Sequence, residues 1–176
     1  MANLLWLQTG ACSGDTLSLL NADGPSIESL TGSGAIELLW HPSLSARPVS
    51  YLGALIGAIE AGEQTLDILA VEGSLITGPY GTGMFDAFHG RPKIHIVQAL
   101  AARAQVMVAM GTCAAFGGVP AAPPNPTDCT GLQFDREAPG GLLAPEWRAR
   151  GGLPVIKLAG CPVHPLTITR TLAMLA

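Results

Sequence analysis

Three of the four cysteines in this sequence share one local pattern. Cys12, Cys113 and Cys161 each have a glycine one or two positions before them. Glycine allows the backbone to approach another group closely. Thiolates are the usual protein ligands of iron–sulfur clusters, and one ligand set can be dispersed along a chain. The pattern therefore favours a shared metal cluster over three small buried hydrophobic side chains, which is the other common role of cysteine.

Asp15 is the candidate for a fourth ligand. It stands where the second cysteine of a Cys-x-x-Cys pair with Cys12 would be, and a cubane cluster takes four ligands. Aspartate is also a favoured helix cap, in this case for a helix that begins at Thr16. The residue types alone leave both roles open. Zinc is the competing metal, but structural zinc sites favour closely spaced cysteine pairs, and the sequence has none.

Apolar runs of strand length alternate with stretches of helical spacing along the chain. Strands are predicted at 4–7, 36–40, 66–71, 106–110 and 154–158, and helices at 17–30, 51–61, 94–104 and 167–175. Strands that are nearly all apolar and separated by helices imply a parallel sheet covered on both faces. We therefore predict a doubly wound α/β fold of flavodoxin type, with 1–176 as a single domain.

This fold brings the three cysteines to one place. In open α/β sheets, ligands bind beyond the carboxyl ends of the strands, near the point where the strand order reverses. Cys12 follows the first strand, Cys113 the fourth and Cys161 the fifth, so all three are expected at one edge of the sheet. Glu72 follows the third strand, where it could orient the cluster loop, assist proton movement or serve only as a cap or in a turn. The other residues expected beside the ligands are Gly14, Thr112 and Pro162.

The remaining motifs indicate less chemistry. Cys129 lies in a Pro- and Gly-rich stretch at 117–152, which we expect to be a functional or docking loop, and Cys129 is expected to be a free thiol. The segment Gly78–Gly83 resembles a phosphate-binding turn but lacks the residues of a P-loop. None of the four histidines has metal-ligand spacing, and His41 and His164, each before a proline, are expected to order turns.

The composition indicates a protein partner. Only 12% of the residues are charged, about half the usual share for a soluble domain. A surface with so few charges favours a large apolar interface. The net charge of −4 provides no basic surface for nucleic acid, and no apolar run reaches the roughly 20 residues of a membrane span. The sequence shows no export signal, so we expect a cytoplasmic protein, or one held at a membrane through its partners.

These motifs together resemble the small, electron-transferring subunit of [NiFe] hydrogenases. The matching segments are Leu5–Gln8, Cys12–Gly14, Leu39–Ser43, Val71–Gly73, Gly111–Ala114, Asn125–Thr127 and Gly160–Pro162. Two details, Trp-His-Pro-Ser at 40–43 and Gly-Leu-Gln at 131–133, look like the uptake, sensory and high-affinity branches. The resemblance implies a flavodoxin-like domain that holds the proximal cluster beside the nickel–iron centre of a separate large subunit.

The resemblance also implies a ligand set. Cys12, Cys113 and Cys161 match three of the four family ligand positions, and Asp15 stands where the fourth is normally a cysteine. An aspartate there is similar to the actinobacterial-type hydrogenases, whose proximal [4Fe–4S] cluster has three cysteine ligands and one aspartate. Asp15 is therefore implied as an iron ligand, and a [3Fe–4S] cluster on the three cysteines is the fallback.

The implied function is electron relay during oxidation of H2, from the large subunit to a downstream electron-accepting protein or quinone. No residue set on this chain resembles a nickel site, so we expect no catalytic residue here. Longer family members continue into a region that binds medial and distal clusters; we expect a natural one-cluster subunit or part of a longer protein. The alternatives are a hydrogen-sensing subunit, a flavodoxin-like FMN binder, and the cluster subunit of NADH–quinone oxidoreductase, which typically has an adjacent Cys-Cys pair that this chain lacks.

Overall fold

A wholly parallel sheet of five strands forms the centre of the computed structural model, which describes residues 1–176. The strands are β1 (Ala2–Gln8), β2 (Ile36–Trp40), β3 (Ile68–Glu72), β4 (Val106–Met110) and β5 (Ile156–Leu158). Their spatial order is β5–β4–β3–β1–β2, so the winding direction reverses between β1 and β3. This is the strand order of the flavodoxin type, and it confirms the predicted fold class.

Six α-helices accompany the sheet. They are α1 (Gly14–Leu20), α2 (Ile27–Gly32), α3 (Val49–Ala61), α4 (Lys93–Ala101), α5 (Gly111–Phe116) and α6 (Pro165–Leu175). A 3-10 helix occupies Val119–Ala121, and short strands pair outside the sheet: Leu75–Ile76 with Cys129–Thr130, Ala87–Phe88 with Arg91–Pro92, and Phe134–Asp135 with Ala138–Pro139. None of the helices combines the length and apolar character needed to span a membrane.

Both faces of the sheet are covered, which explains why the strands are nearly all apolar. Successive side chains of a strand point to opposite faces. Leu5 and Leu7 of β1 belong to the core cluster that includes α3 and α4, and Leu4 and Trp6 belong to the cluster that includes α1, α2 and α6. Every residue of β3 is buried for the same reason. The first polar side chain of β3 is Glu72, at its carboxyl end.

The single helix predicted at 17–30 is wrong, because α1 and α2 are separate. Gly24 and Pro25 lie between them. Glycine is a poor helix former, and proline lacks the N–H group that a helix interior requires. A new helix then begins after Ser26, whose hydroxyl accepts a hydrogen bond from the backbone N–H of Ser29. As a result α1 is a helix of seven residues that starts two positions after Cys12.

The stretch at 117–152 is packed against the domain rather than a free loop. Leu132 and Leu143 are buried members of the larger core cluster. The buried Gln133 side chain donates from Nε2 to the carbonyl of Trp147 at 2.9 Å and accepts from the backbone N–H of Val155 at 2.9 Å. These bonds connect the stretch to the entry of β5.

Candidate metal centre

The three predicted cysteine ligands lie at the carboxyl edge of the sheet. Cys12 lies in the turn between β1 and α1, Cys113 in the first turn of α5 after β4, and Cys161 in the turn after β5. All three are free thiols; Cys12 and Cys161 are exposed and Cys113 is half-buried. Burial raises the pKa of the Cys113 thiol above its ordinary value, and like charge on Cys161 and Cys12 raises it further. The thiols of Cys12 and Cys161 therefore lie close enough to Cys113 to act on its charge.

Glycines bring the backbone close to two of these sulfurs. A Cβ atom at Gly118 would lie 2.7 Å from Sγ of Cys113, and one at Gly14 would lie 3.3 Å from Sγ of Cys12. A side chain at Gly118 would displace the sulfur, and its φ of +59° also favours glycine. Gly14 was predicted at the site and Gly118 was missed. The signal for it was the Gly-Gly pair at 117–118 that follows α5.

Asp15 connects the three cysteine-bearing segments. Its side chain is 9% exposed, and Oδ1 accepts a hydrogen bond from the backbone N–H of Val163 at 2.8 Å. Oδ2 has no hydrogen-bond donor in the protein and lies against Gly111, where a Cβ atom would be 2.0 Å away. Val163 follows Cys161 by two positions and Gly111 precedes Cys113 by two. The Asp15 carboxylate thus contacts the segments of Cys161 and Cys113 from the segment of Cys12, and its Oδ2 accepts no hydrogen bond.

The helix-capping role considered for Asp15 is wrong. The helix begins at Gly14 rather than at Thr16, and Asp15 already lies in its first turn. Its carboxylate binds Val163 instead of the N–H groups of its own helix. Burial raises the pKa of the Asp15 carboxyl, the bond from Val163 opposes that shift, and the charge of Glu72 adds to it. The side chain is free to act as a ligand through Oδ2.

Glu72 supplies the cap that Asp15 does not. It is 2% exposed at the end of β3, beside its register partner Gln8. Oε1 accepts from the backbone N–H groups of Asp15 at 3.1 Å and Thr16 at 3.2 Å. Oε2 accepts from Trp6 Nε1 at 3.0 Å, from Gln8 Nε2 at 3.0 Å and from Thr16 Oγ1 at 2.5 Å. Of the roles considered for Glu72, this geometry supports orientation of the ligand-bearing turn by capping α1.

Thr112 and Pro162, which are adjacent in sequence to Cys113 and Cys161, contact neighbouring segments of the site. The backbone N–H of Thr112 donates to the carbonyl of Gly160 at 2.8 Å, and the backbone N–H of Gly160 donates to Oγ1 of Thr112 at 3.1 Å. This reciprocal pair connects the segment of Cys113 to that of Cys161. Pro162 packs near Gly14, since a Cβ atom placed at Gly14 would lie 3.8 Å from the Cβ of Pro162.

The donor set fits a polynuclear cluster. No three His, Cys, Asp or Glu side chains lie close enough together to bind one metal ion. An iron–sulfur cluster places its own iron and sulfide atoms between the protein ligands, so these ligands lie further apart than those around a single ion. Three thiols and one carboxylate at one edge match a cluster in number and chemistry.

Two other side chains have the structural roles expected of them. Cys129 is buried as a free thiol on a short strand, with its Sγ 3.0 Å from Oγ1 of Thr127. His41 is buried, and its Nδ1 accepts from the backbone N–H of Ser43 at 3.1 Å, so it orders the turn after β2. Burial lowers the pKa of His41 to about 4, so this histidine is neutral at neutral pH.

Comparison with known sequences identifies relatives along nearly the whole chain. The family model described as the NADH ubiquinone oxidoreductase 20 kDa subunit matches residues 12–175. The F420 non-reducing hydrogenase II small subunit of Methanosarcina mazei is 30% identical over 96% of this chain and 47% of its own length. The periplasmic [NiFe] hydrogenase small subunit 1 of Nitratidesulfovibrio vulgaris is 30% identical over 97% of this chain and 49% of its own. The chain thus spans about half the length of these curated relatives.

Solved structures agree with the sequence relatives. The actinobacterial-type NiFe-hydrogenase from Ralstonia eutropha H16 has a TM-score of 0.84 and 31% identity, over 99% of this chain and 55% of its own. The Ni-Fe-Se hydrogenase from Desulfomicrobium baculatum has a TM-score of 0.76 and 27% identity, over 97% and 60%. The chain therefore belongs to the family described by the 20 kDa NADH ubiquinone oxidoreductase subunit, and its relatives identify it as a member of the [NiFe] hydrogenase small subunits.

Proposed function

We propose that this chain relays electrons within a [NiFe] hydrogenase and that Cys12, Asp15, Cys113 and Cys161 hold one proximal [4Fe–4S] cluster. The observation that carries the proposal is the free Oδ2 of Asp15 at the sheet edge that also carries Cys12, Cys113 and Cys161. When bound, such a cluster accepts and releases one electron at a time. The likeness to the actinobacterial-type enzyme supports an assignment to that branch.

The surrounding residues position the candidate ligand atoms and set the pKa values of the ligand side chains. The backbone N–H of Val163 holds Oδ1 of Asp15, so Oδ2 is the oxygen that would be available to hold iron. Burial raises the pKa values of Cys113 and Asp15, and a cation bound between them would favour their charged forms. Ligands of this kind release protons when they bind metal. A hard oxygen ligand in place of a soft thiolate also changes the iron affinity of that corner of the site.

The electron donor is proposed to be a large subunit that carries the nickel–iron centre and splits H2 into protons and electrons. The relatives named above are small subunits of hydrogenases, which supports such a partner. Cys12 and Cys161 are exposed, and the apolar Val119, next to the glycine that touches Cys113, is 80% exposed. An apolar partner at this edge would exclude water from the cluster and shorten the electron path. The downstream acceptor is proposed to be an electron-accepting protein or a quinone.

The test is iron and acid-labile sulfide analysis with EPR on the complex as purified. We expect the wild type and Asp15→Cys to show a four-iron signal, and Asp15→Ala to shift toward a three-iron signal. Cys113→Ser is expected to lose the cluster, whereas Cys129→Ser is the matched control and retains it. Addition of H2 is expected to reduce the wild-type cluster. A wild-type complex without iron and sulfide would refute the proposal, and an unchanged spectrum in Asp15→Ala would remove Asp15 from the ligand set.

A further inference from the structure

We propose that Glu72 is a positioning residue for the cluster, which holds the Asp15-bearing turn of α1 against the sheet and, through its fixed negative charge, lowers the reduction potential of the cluster. This inference rests on the proposed function. Glu72 accepts five hydrogen bonds, and each comes from an N–H or O–H group. An ionised carboxylate is an acceptor only, so the site is built to hold the charged form.

The cap from Glu72 determines where α1 begins. The first N–H groups of a helix have no partner within the helix. Ser13, at the N-cap position, makes no side-chain hydrogen bond to α1. Oε1 of Glu72, 57 residues away from Asp15 in sequence, accepts from the N–H groups of Asp15 and Thr16 instead. The position of Asp15 relative to the sheet is therefore set by a side chain of β3.

The second oxygen of Glu72 is anchored in the core. Oε2 accepts from the indole N–H of Trp6, which is fully buried in β1. Gln8 donates from the same Nε2 to Glu72 and, at 3.1 Å, to Oγ of Ser13, the residue after Cys12. Two routes thus connect the core to the turn that carries Cys12 and Asp15. Hydrogen bonds that share members in this way rigidify a buried site.

The charge of Glu72 is not cancelled by a cation. The three ion pairs of the protein involve other carboxylates: Arg91–Glu60, Lys93–Asp86 and Arg136–Asp135. The charge instead acts on its neighbours, since it contributes to the raised pKa of Asp15. A fixed negative charge beside an iron–sulfur cluster disfavours addition of an electron, because net charge and hydrogen bonding around a cluster set its potential.

The test compares the midpoint potential and iron content of variants in the purified complex. Glu72→Gln keeps the side-chain size and removes the charge, and Glu72→Ala removes every bond as well. Glu63→Gln is the matched control, because it makes the same charge change at an exposed residue ahead of β3. We expect Glu72→Gln to shift the midpoint potential to more positive values and Glu72→Ala to lose iron, while Glu63→Gln equals the wild type.

A third variant separates charge from folding. Thr16→Val keeps the charge of Glu72 but removes one hydrogen-bond donor that compensates this charge. We therefore expect the midpoint potential to shift to more negative values, by less than the positive shift of Glu72→Gln. A shift of Thr16→Val in the positive direction, or a potential of Glu72→Gln equal to that of Glu63→Gln, overturns the proposal. A lower melting temperature with no change of potential assigns Glu72 to folding alone. If the wild type contains the cluster and the Glu72 variants have the same midpoint potential and iron content, only this inference fails. If the wild type contains no cluster, the proposed function fails as well.

Discussion

Glu72 and Asp86 both lie close to Gln8, yet the protein holds their carboxylates by opposite means. Glu72 accepts only from neutral donors, among them Nε2 of Gln8 and the indole N–H of Trp6. Asp86 pairs through Oδ1 with Nζ of Lys93 at 2.8 Å, and the same ammonium donates to the carbonyl of Gln8 at 3.2 Å. Neutral donors stabilise a negative charge and leave it in place, whereas a cation cancels it. Glu72, at the candidate metal centre, has only neutral donors, whereas Asp86, outside that centre, is paired with a cation.

The largest expected effect is the loss of the Glu72 carboxylate. Glu72→Ala leaves the buried indole N–H of Trp6 and the N–H groups of Asp15 and Thr16 without their acceptor. Unpaired buried donors cost about 1–3 kcal/mol each before relaxation, so we expect the free energy of unfolding to fall by about 3–5 kcal/mol. Denaturant unfolding of the purified complex measures this loss. A loss below about 1 kcal/mol would show that water replaces the carboxylate at little cost.

The second prediction concerns His41, whose ring packs on Trp6 with centroids 5.1 Å apart. Burial lowers the folded pKa of His41 from 6.5 to about 4. Between pH 6.5 and pH 4, His41 therefore binds a proton in the unfolded chain but not in the folded chain. The contribution of His41 is intact above pH 6.5 and is lost as the pH falls toward 4, by up to about 3 kcal/mol. Protonation would also place a cation near Glu72 and end the contrast with Asp86.

The measurement for His41 is the free energy of unfolding between pH 4 and pH 7, for the wild type and for His41→Phe. The variant keeps an aromatic ring against Trp6 but has no group that titrates. We expect the wild type to lose more stability than the variant across this range. Parallel curves for the two proteins would contradict the prediction.

The third prediction concerns the steric fit of the Asp15 carboxylate against Gly111. Gly111→Ala places a Cβ atom 2.0 Å from Oδ2 of Asp15, at a φ of +81°. Gly34→Ala is the matched control, because Gly34 has a φ of +75° and nothing within 4 Å of its Cβ position. Backbone strain costs both variants about 1–2 kcal/mol, and the clash adds roughly 1–3 kcal/mol at Gly111 alone. Only Gly111→Ala is expected to lose iron from the complex; equal iron in both variants would argue against a precise placement of Asp15.

The smallest effect is expected at Asp86. Its side chain is 16% exposed and that of Lys93 is 31% exposed, so the ion pair is partly solvated. We expect Asp86→Asn to lower the free energy of unfolding by at most about 1 kcal/mol, and the difference from the wild type to shrink as salt is added. Iron content and midpoint potential should stay at wild-type values. A loss as large as that of Glu72→Ala would abolish the distinction between the two carboxylates.

The sheet could be predicted from the sequence because its signal is local. The strands at 36–40 and 106–110 were predicted with the bounds that the structure shows, since each is a short apolar run between polar or glycine-rich segments. The parallel order then placed Cys12, Cys113 and Cys161 at one edge. The helix at 17–30 failed because apolar spacing continues through Gly24 and Pro25, whose effect on the backbone outweighs it.

The finer contacts of the site could not be predicted because their partners are far apart in the sequence. Glu72 meets Trp6 and Thr16 only after β1 and β3 have paired. The bond between Asp15 and Val163 likewise spans 148 residues. The residue types placed Glu72 and Asp15 near strand ends but did not show which donors they would meet.

That long-range bond constrains how the protein is made. Asp15 is synthesised early and Val163 late, so the bond between them forms only after the last parallel strand has been synthesised. Contacts between residues this distant form late and slowly. On the proposed ligand set, we therefore expect the complete site to form only in a chain that has been synthesised past Val163.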